Sequence, residues 1–363
     1  MKIKGADFFD SLCGILTEKR GDMLYLTPKE APYIRIGNAL SRVESVVPIN
    51  EKTTVGFVNL LINSSTVKVK KPFMEAHFNY ESMETGKFKV QVSHGYNGYM
   101  LSISPVVDEV PEIESLGFPD RIKKLVHTQS GLILIIGKKN SGKSTTAASL
   151  VDFINKNYSK RIVVMEESLK YLHRDWLSTV KQPFIRISDI LNLTSEFDKT
   201  VGDASVIAID GFPMYETMSL SLMAARKGIL VIAAVGTNGG VSEALRLMIE
   251  CFPENDRKEA RKTLAATLKA VLWQNLLPKK DGTGVLPVFE MLLNDAVISS
   301  LIYNERYHLL RPTMAAGSVR GMITITQALA EAAGKDILNK EAAKKFRDDT
   351  YSYYVNPVKE AYY

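Results

Sequence analysis

The stretch Gly137-Lys138-Lys139-Asn140-Ser141-Gly142-Lys143-Ser144-Thr145 constrains the fold more than any other part of this chain. It is a complete loop of the form G-x-x-x-x-G-K-[ST], which does its work between a buried strand and a helix. Both flanks are present. Gly131-Leu132-Ile133-Leu134-Ile135-Ile136 is a continuous apolar run, as in a parallel strand covered on both faces. From Thr145 to Asn157, Ala147, Leu150, Val151 and Ile154 share one face of a predicted helix. An α/β core with a mostly parallel sheet follows.

The residue types of the loop name its ligand. Gly137 and Gly142 permit backbone conformations that turn several N–H groups toward an anion. The helix start adds its partial positive charge at the same place. Asn140, Ser141 and Thr145 complete the expected cradle. Lys143 supplies a point charge for the β- and γ-phosphates, and Ser144 a hydroxyl for Mg²⁺. The expected ligands are ATP and Mg²⁺.

Length and composition narrow the setting. A chain of 363 residues suggests two domains. Its 45% hydrophobic and 24% charged content is ordinary for a soluble globular protein. No apolar run reaches the length of a membrane span, and the first residues lack the apolar core of a signal peptide. Cys13 and Cys251 have no metal-ligand spacing and fit a reducing cytoplasm. A net charge of +6 permits contact with nucleic acid without arguing for it. The lysines at 68, 70 and 71 alternate with Val67 and Val69, as on the solvated side of a strand.

Along the chain, residues 1–105 carry short alternating segments such as Met23–Leu26, Tyr33–Ile36 and Phe88–Val92, with helices predicted around Phe8–Leu16 and Glu51–Asn63. This reads as a small α+β domain. Pro105 to Pro119 is acidic and reads as a linker over 106–119. The P-loop domain is expected over 120–290, with strands at 131–136, 161–165, 205–209 and 229–235. Asp256 to Leu277 reads as one long helix, with Leu264, Leu268, Val271, Leu272 and Asn275 at helical spacing and Pro278 as its stop. A helical region is expected over 291–363, ending in Tyr351, Tyr353, Tyr354, Tyr362 and Tyr363.

Taken together, these segments resemble the PilT family, hexameric ATPases that retract type IV pili within the wider group of secretion ATPases. The likeness lies in Gly21–Leu26 with Ala31–Ile36, Glu114-Ser115-Leu116-Gly117, Glu216-Thr217 with Ala224–Gly228, and Arg246–Pro253. It continues in Gln274-Asn275-Leu276, Glu290-Met291 and Gly317–Met322. The resemblance implies a RecA-like P-loop ATPase core, preceded by a small α+β PAS-like domain and followed by C-terminal helices. It implies a homo-hexamer, or a mixed hexamer with a paralogous ATPase, working against an inner-membrane pilus platform protein. It also implies a cytoplasmic location, in part peripheral at the inner membrane. The sequence shows no convincing basic groove with interleaved aromatics, so no nucleic-acid partner is expected.

Several family positions have changed. The glutamate that activates water falls on Gly211, with Asp210 one residue earlier at the end of a predicted strand. Asp210 is therefore a candidate to hold the Mg²⁺ water shell through water, beside Ser144. The family's Glu-Asp-Pro corresponds to Glu166-Glu167-Ser168, which makes Glu166 the candidate to polarise water, with Glu167 as a second acid. The family's histidine falls on Gly236, and its arginines fall on Phe197, Val201, Ser102 and Gly284. A patch tied to retraction survives as Ala296-Val297-Ile298-Ser299-Ser300-Leu301-Ile302-Tyr303, without its arginines. Arginines aimed at a transferring phosphate are worth orders of magnitude in rate, so impaired hydrolysis is expected. A glutamate returned at 211 is expected to raise it. The alternatives are a catalytically weak accessory or structural subunit partnering an active ATPase, and a related secretion or pilus assembly ATPase.

Overall fold

The computed structural model describes residues 5–19, 21–36, 39–64, 73–106, 109–116, 118, 121–166, 170–183, 197, 199, 201–281, 285–339, 341 and 343–346. The lysine cluster at 68–71, Gly117, Glu167, Ser168, Gly284 and the tyrosines from 351 onward lie outside the described residues. The chain forms two compact units, Met1–Glu109 and, for the most part, the chain from Val110 onward.

The first unit runs α1 (Gly5–Glu18), β1 (Met23–Leu26), β2 (Tyr33–Ile36), β3 (Ala39–Arg42), α2 (Glu51–Ser64), β4 (Glu75–Ser82), β5 (Gly86–Gly95) and β6 (Gly98–Val106). Its strands form one antiparallel sheet in the order β3-β2-β1-β6-β5-β4. The start of α2 is set by Asn50, whose side-chain oxygen accepts from the Thr53 N–H at 2.9 Å. Phe9, Leu12 and Leu16 of α1 and Phe57, Val58 and Leu61 of α2 bury against alternate strand residues, among them Phe78, Val90, Val92, Leu101 and Ile103. Polar residues alternate with these along β4, as in a sheet with one covered face.

The second unit continues with α3 (Arg121–Leu125), β7 (Gly131–Gly137), α4 (Lys143–Asn157), β8 (Arg161–Glu166), β9 (Thr179–Lys181), β10 (Val206–Asp210), α5 (Met214–Arg226), β11 (Leu230–Gly236), α6 (Val241–Glu250) and α7 (Glu254–Thr267). It closes with β12 (Leu268–Pro278), β13 (Val285–Leu293), α8 (Ala296–Tyr303), α9 (Leu310–Ala316) and α10 (Ile325–Gly334). The sheet order is β13-β12-β7-β11-β10-β8-β9, parallel except for β13 at one edge. Every residue of β7 is buried, as its apolar run requires. Within the stretch read as a linker, Pro105 and Val106 close β6, while Ile113 and Phe118 are buried in the core of the second unit. The Ser149 hydroxyl of α4 also donates to the Pro111 carbonyl at 2.6 Å.

One prediction is overturned. The helix expected from Asp256 to Leu277 ends at Thr267, and Leu268–Pro278 is strand β12. From Leu268 to Leu277 only Lys269 and Leu276 escape full burial. A strand covered on both faces has no polar side to alternate with, so helical and extended spacing read alike. β12 pairs in parallel with β7 and antiparallel with β13, which places it next to the P-loop strand. β13 itself extends to Leu293, past the point where helices were expected to begin. Among the described residues no helix is long and apolar enough to cross a membrane.

Candidate functional site

Because β7, β11, β10 and β8 run parallel, their C-terminal ends share one edge of the sheet, the usual place for a site in an open α/β fold. That edge carries, in spatial order, Gly137 and the phosphate loop, Gly236, Asp210 and Glu166. The register makes the neighbours explicit: Gly236 lies opposite Gly137, and Asp210 lies opposite Glu166.

The loop has the backbone that its glycines allow. Gly137, Asn140 and Gly142 all take positive φ, at 149°, 64° and 87°. Gly142 precedes the first turn of α4, which carries no side-chain cap, while Lys143, Ser144 and Thr145 occupy that turn and are half-buried. A Cβ at Gly142 would come to 2.7 Å from the Gln274 Nε2, and one at Gly137 to 2.6 Å from the Ser141 Oγ. The Lys143 Nζ donates to the Lys138 carbonyl at 2.6 Å, so the amine lies over the loop it serves. A narrow backbone cradle at a helix start with a lysine across it fits a polyphosphate.

The strand order brings two candidate carboxylates to neighbouring positions. Glu166 and Asp210 end adjacent parallel strands in register, both half-buried. Gly211, next to Asp210, takes φ 86°. The positions where arginines were expected are structural here: Phe197 and Val201 are 1% and 2% exposed in the core. Gly236 is exposed, and among the described residues no atom lies within 4 Å of where a Cβ would project. Ser102 lies within β6, paired with Tyr25 and Gln91.

Three residues at this edge escaped assignment of a role from sequence. Gln274, 2% exposed on β12, accepts from the Thr146 hydroxyl at 2.8 Å and backs the loop beneath Gly137 and Gly142. Thr237, just after β11, donates its N–H to the Gly137 carbonyl at 3.0 Å. Glu290, 1% exposed on β13, accepts from the Val241 N–H at 3.3 Å and the Ile325 N–H at 3.2 Å. Burial pushes its carboxyl above the usual range, opposed by those two N–H groups and by Arg311. Polar residues inside the apolar runs of β12 and β13 were the available signal, since buried polar groups need partners.

No family model matches the chain. It is 28% identical over 322 residues to the type IV pilus ATPase PilU of Pseudomonas aeruginosa, spanning 88% of this chain and 84% of that protein. It is also 30% identical over 240 residues to the protein YggR of Escherichia coli, spanning 66% of this chain and 73% of that one. The chain belongs to the PilT family of secretion ATPases. The solved structure of the pilus retraction motor PilT with bound ADP shares its fold, with a TM-score of 0.74, 24% identity and coverage of 95% and 97% of the two chains. The RecA-like core expected for a PilT-family chain is therefore in place, and the phosphate loop, Asp210 and Glu166 stand at its sheet edge.

Proposed function

We propose that this chain is an ATP-binding motor subunit of the pilus-retraction type, working in a hexameric ring with slowed hydrolysis. The observation that carries the reading is the meeting, along one sheet edge, of the phosphate loop with the in-register carboxylates Glu166 and Asp210. Relatives named as type IV pilus ATPases and as a twitching motility protein support the setting. The resemblance supports a cytoplasmic ring acting on an inner-membrane platform protein.

The chemistry follows from positions. The loop N–H groups and the start of α4 hold the phosphates, and Lys143 neutralises the β- and γ-oxygens. Ser144 directly and Asp210 through water would hold Mg²⁺, which screens phosphate charge and orients the terminal group for in-line attack. Glu166 sits beside Asp210 and polarises the attacking water. Three features favour slow turnover over a fast motor. Gly211 has no side chain, Gly236 presents none toward the loop, and the core positions of Phe197 and Val201 supply no cation.

The test is ATP binding and steady-state hydrolysis measured on one purified sample. Binding with weak turnover that rises when a paralogous ATPase is added supports an accessory subunit; clear turnover alone makes it an independent motor. Lys143→Ala should abolish binding, and binding at the wild-type level would remove the loop assignment.

A further inference from the structure

We propose that Glu290 is a positioning residue that ties the β11–α6 loop beside the phosphate loop to the start of α10, so that nucleotide occupancy is felt in the C-terminal helices. The proposal rests on the ATP-site reading above. Its geometry stands on side-chain and backbone contacts within the second unit.

Glu290 receives one N–H on each carboxylate oxygen, and the donors belong to different helices. Val241 is the first residue of α6 and Ile325 the first of α10. An ionised carboxylate accepts at both oxygens and donates at neither, so it can hold two converging helix starts together. The two ends have different needs. α6 has no side-chain cap at Gly240. α10 already has a complete capping box between Thr324 and Gln327. That box leaves the buried Ile325 N–H without a partner at its own helix start; Glu290 supplies one, and in doing so fixes the distance between two helices.

That link leads to the nucleotide. The loop from Thr237 to Gly240 is held at one end by the Thr237 N–H on the Gly137 carbonyl and at the other by Glu290 on Val241. On the far side, Met291 and Ile323 exchange both backbone hydrogen bonds, at 2.8 and 3.0 Å, fastening β13 to the segment that leads into α10. Trp273 pairs with Glu290 across the strands, and its neighbour Gln274 braces the phosphate loop through Thr146. Two adjacent rungs of the β12–β13 ladder therefore reach the loop on one side and both helix starts on the other. Burying a carboxylate is costly, and the two N–H bonds offset part of that cost. Both donors are buried at helix starts, so the pairing of each depends on the same side chain.

The experiment is hydrogen–deuterium exchange on the full chain with and without a slowly hydrolysed ATP analogue, together with turnover. In the wild type, the analogue should slow exchange both at Thr237–Leu245 and at Ile323–Gly334. Glu290→Gln keeps the shape but replaces one acceptor by a donor, so one of the two N–H bonds is lost. The loop response and the analogue's affinity should persist, the α10 response should disappear, and kcat should fall by roughly tenfold with KM held, the scale of one hydrogen bond to a charged group. Ile325→Pro removes the α10 donor alone, at a first helical position that tolerates proline and after Thr324 in extended conformation, and should uncouple in the same way. An α10 response that survives in whichever variant folds overturns the proposal, as does a wild type that responds only in the loop. A wild type with no response in the loop either overturns the ATP reading itself.

Discussion

Gly142→Ala tests the backing of the phosphate loop by Gln274, and the structure sets its size. Gly142 has φ 87° and ψ 9°, in the left-handed region, where a residue with a Cβ costs about 1–2 kcal/mol. The new Cβ would also stand 2.7 Å from the Gln274 Nε2 and 3.5 Å from the Leu276 Cδ2. Contact at 2.7 Å obliges the amide to shift, which loosens its buried hydrogen bond with Thr146, worth about 1 kcal/mol net. The sum is about 2–3 kcal/mol. If the loop must hold this conformation to bind phosphate, affinity for ATP falls by roughly 30- to 150-fold. Titration calorimetry on the folded variant, checked by its melting curve, measures this directly. In a Gln274→Ala background the same substitution should cost only the backbone part of about 1–2 kcal/mol, a coupling that a double-mutant cycle isolates. Wild-type affinity in Gly142→Ala would refute the cradle as described. Additive losses in the double variant would refute Gln274 as its backing.

Gly211→Glu is expected from sequence alone to restore a family carboxylate and raise turnover; the backbone revises this. At φ 86° the new side chain should cost about 1–2 kcal/mol, so the variant should melt a few degrees lower and show no gain in turnover. A tenfold gain at unchanged stability would sink the revision. His173 gives the second test. It is buried, neither ring nitrogen has a hydrogen-bond partner among the described residues, and burial lowers its pKa to about 4, against an opposing contribution from Asp152. With the folded pKa below the unfolded one, its share of stability is full above pH ~6.5 and is lost as pH falls toward 4, about 3 kcal/mol in all. Urea melts of His173→Gln should show a flatter acid limb than the wild type between those pH values. Parallel limbs would mean that the ring is solvated.

What could be read from the sequence divides by the kind of physical signal each part leaves. The phosphate loop was legible because its function is carried by local backbone. The glycines, the lysine and the flanking strand and helix all lie within one stretch, Gly131 to Asn157. The pairing of Glu166 with Asp210 was half legible. Each residue visibly ends an apolar run, but only the strand order, with β10 between β11 and β8, makes them neighbours. β12 was misread because burial on both faces erases periodicity, and with it went the chance of placing Gln274 beneath the loop. A helix over Asp256 to Leu277 would have spread Trp273, Gln274 and Asn275 around its axis. The strand instead sends successive side chains to opposite faces, so that Gln274 reaches the phosphate loop while the neighbouring rung holds Glu290 to α6 and α10. The cost of burying Gln274 and Glu290 is the clue that outlasts the lost periodicity. Polar groups enclosed in an apolar run must be bonded to something distant, and here both are bonded to backbone or side chains that shape the nucleotide edge.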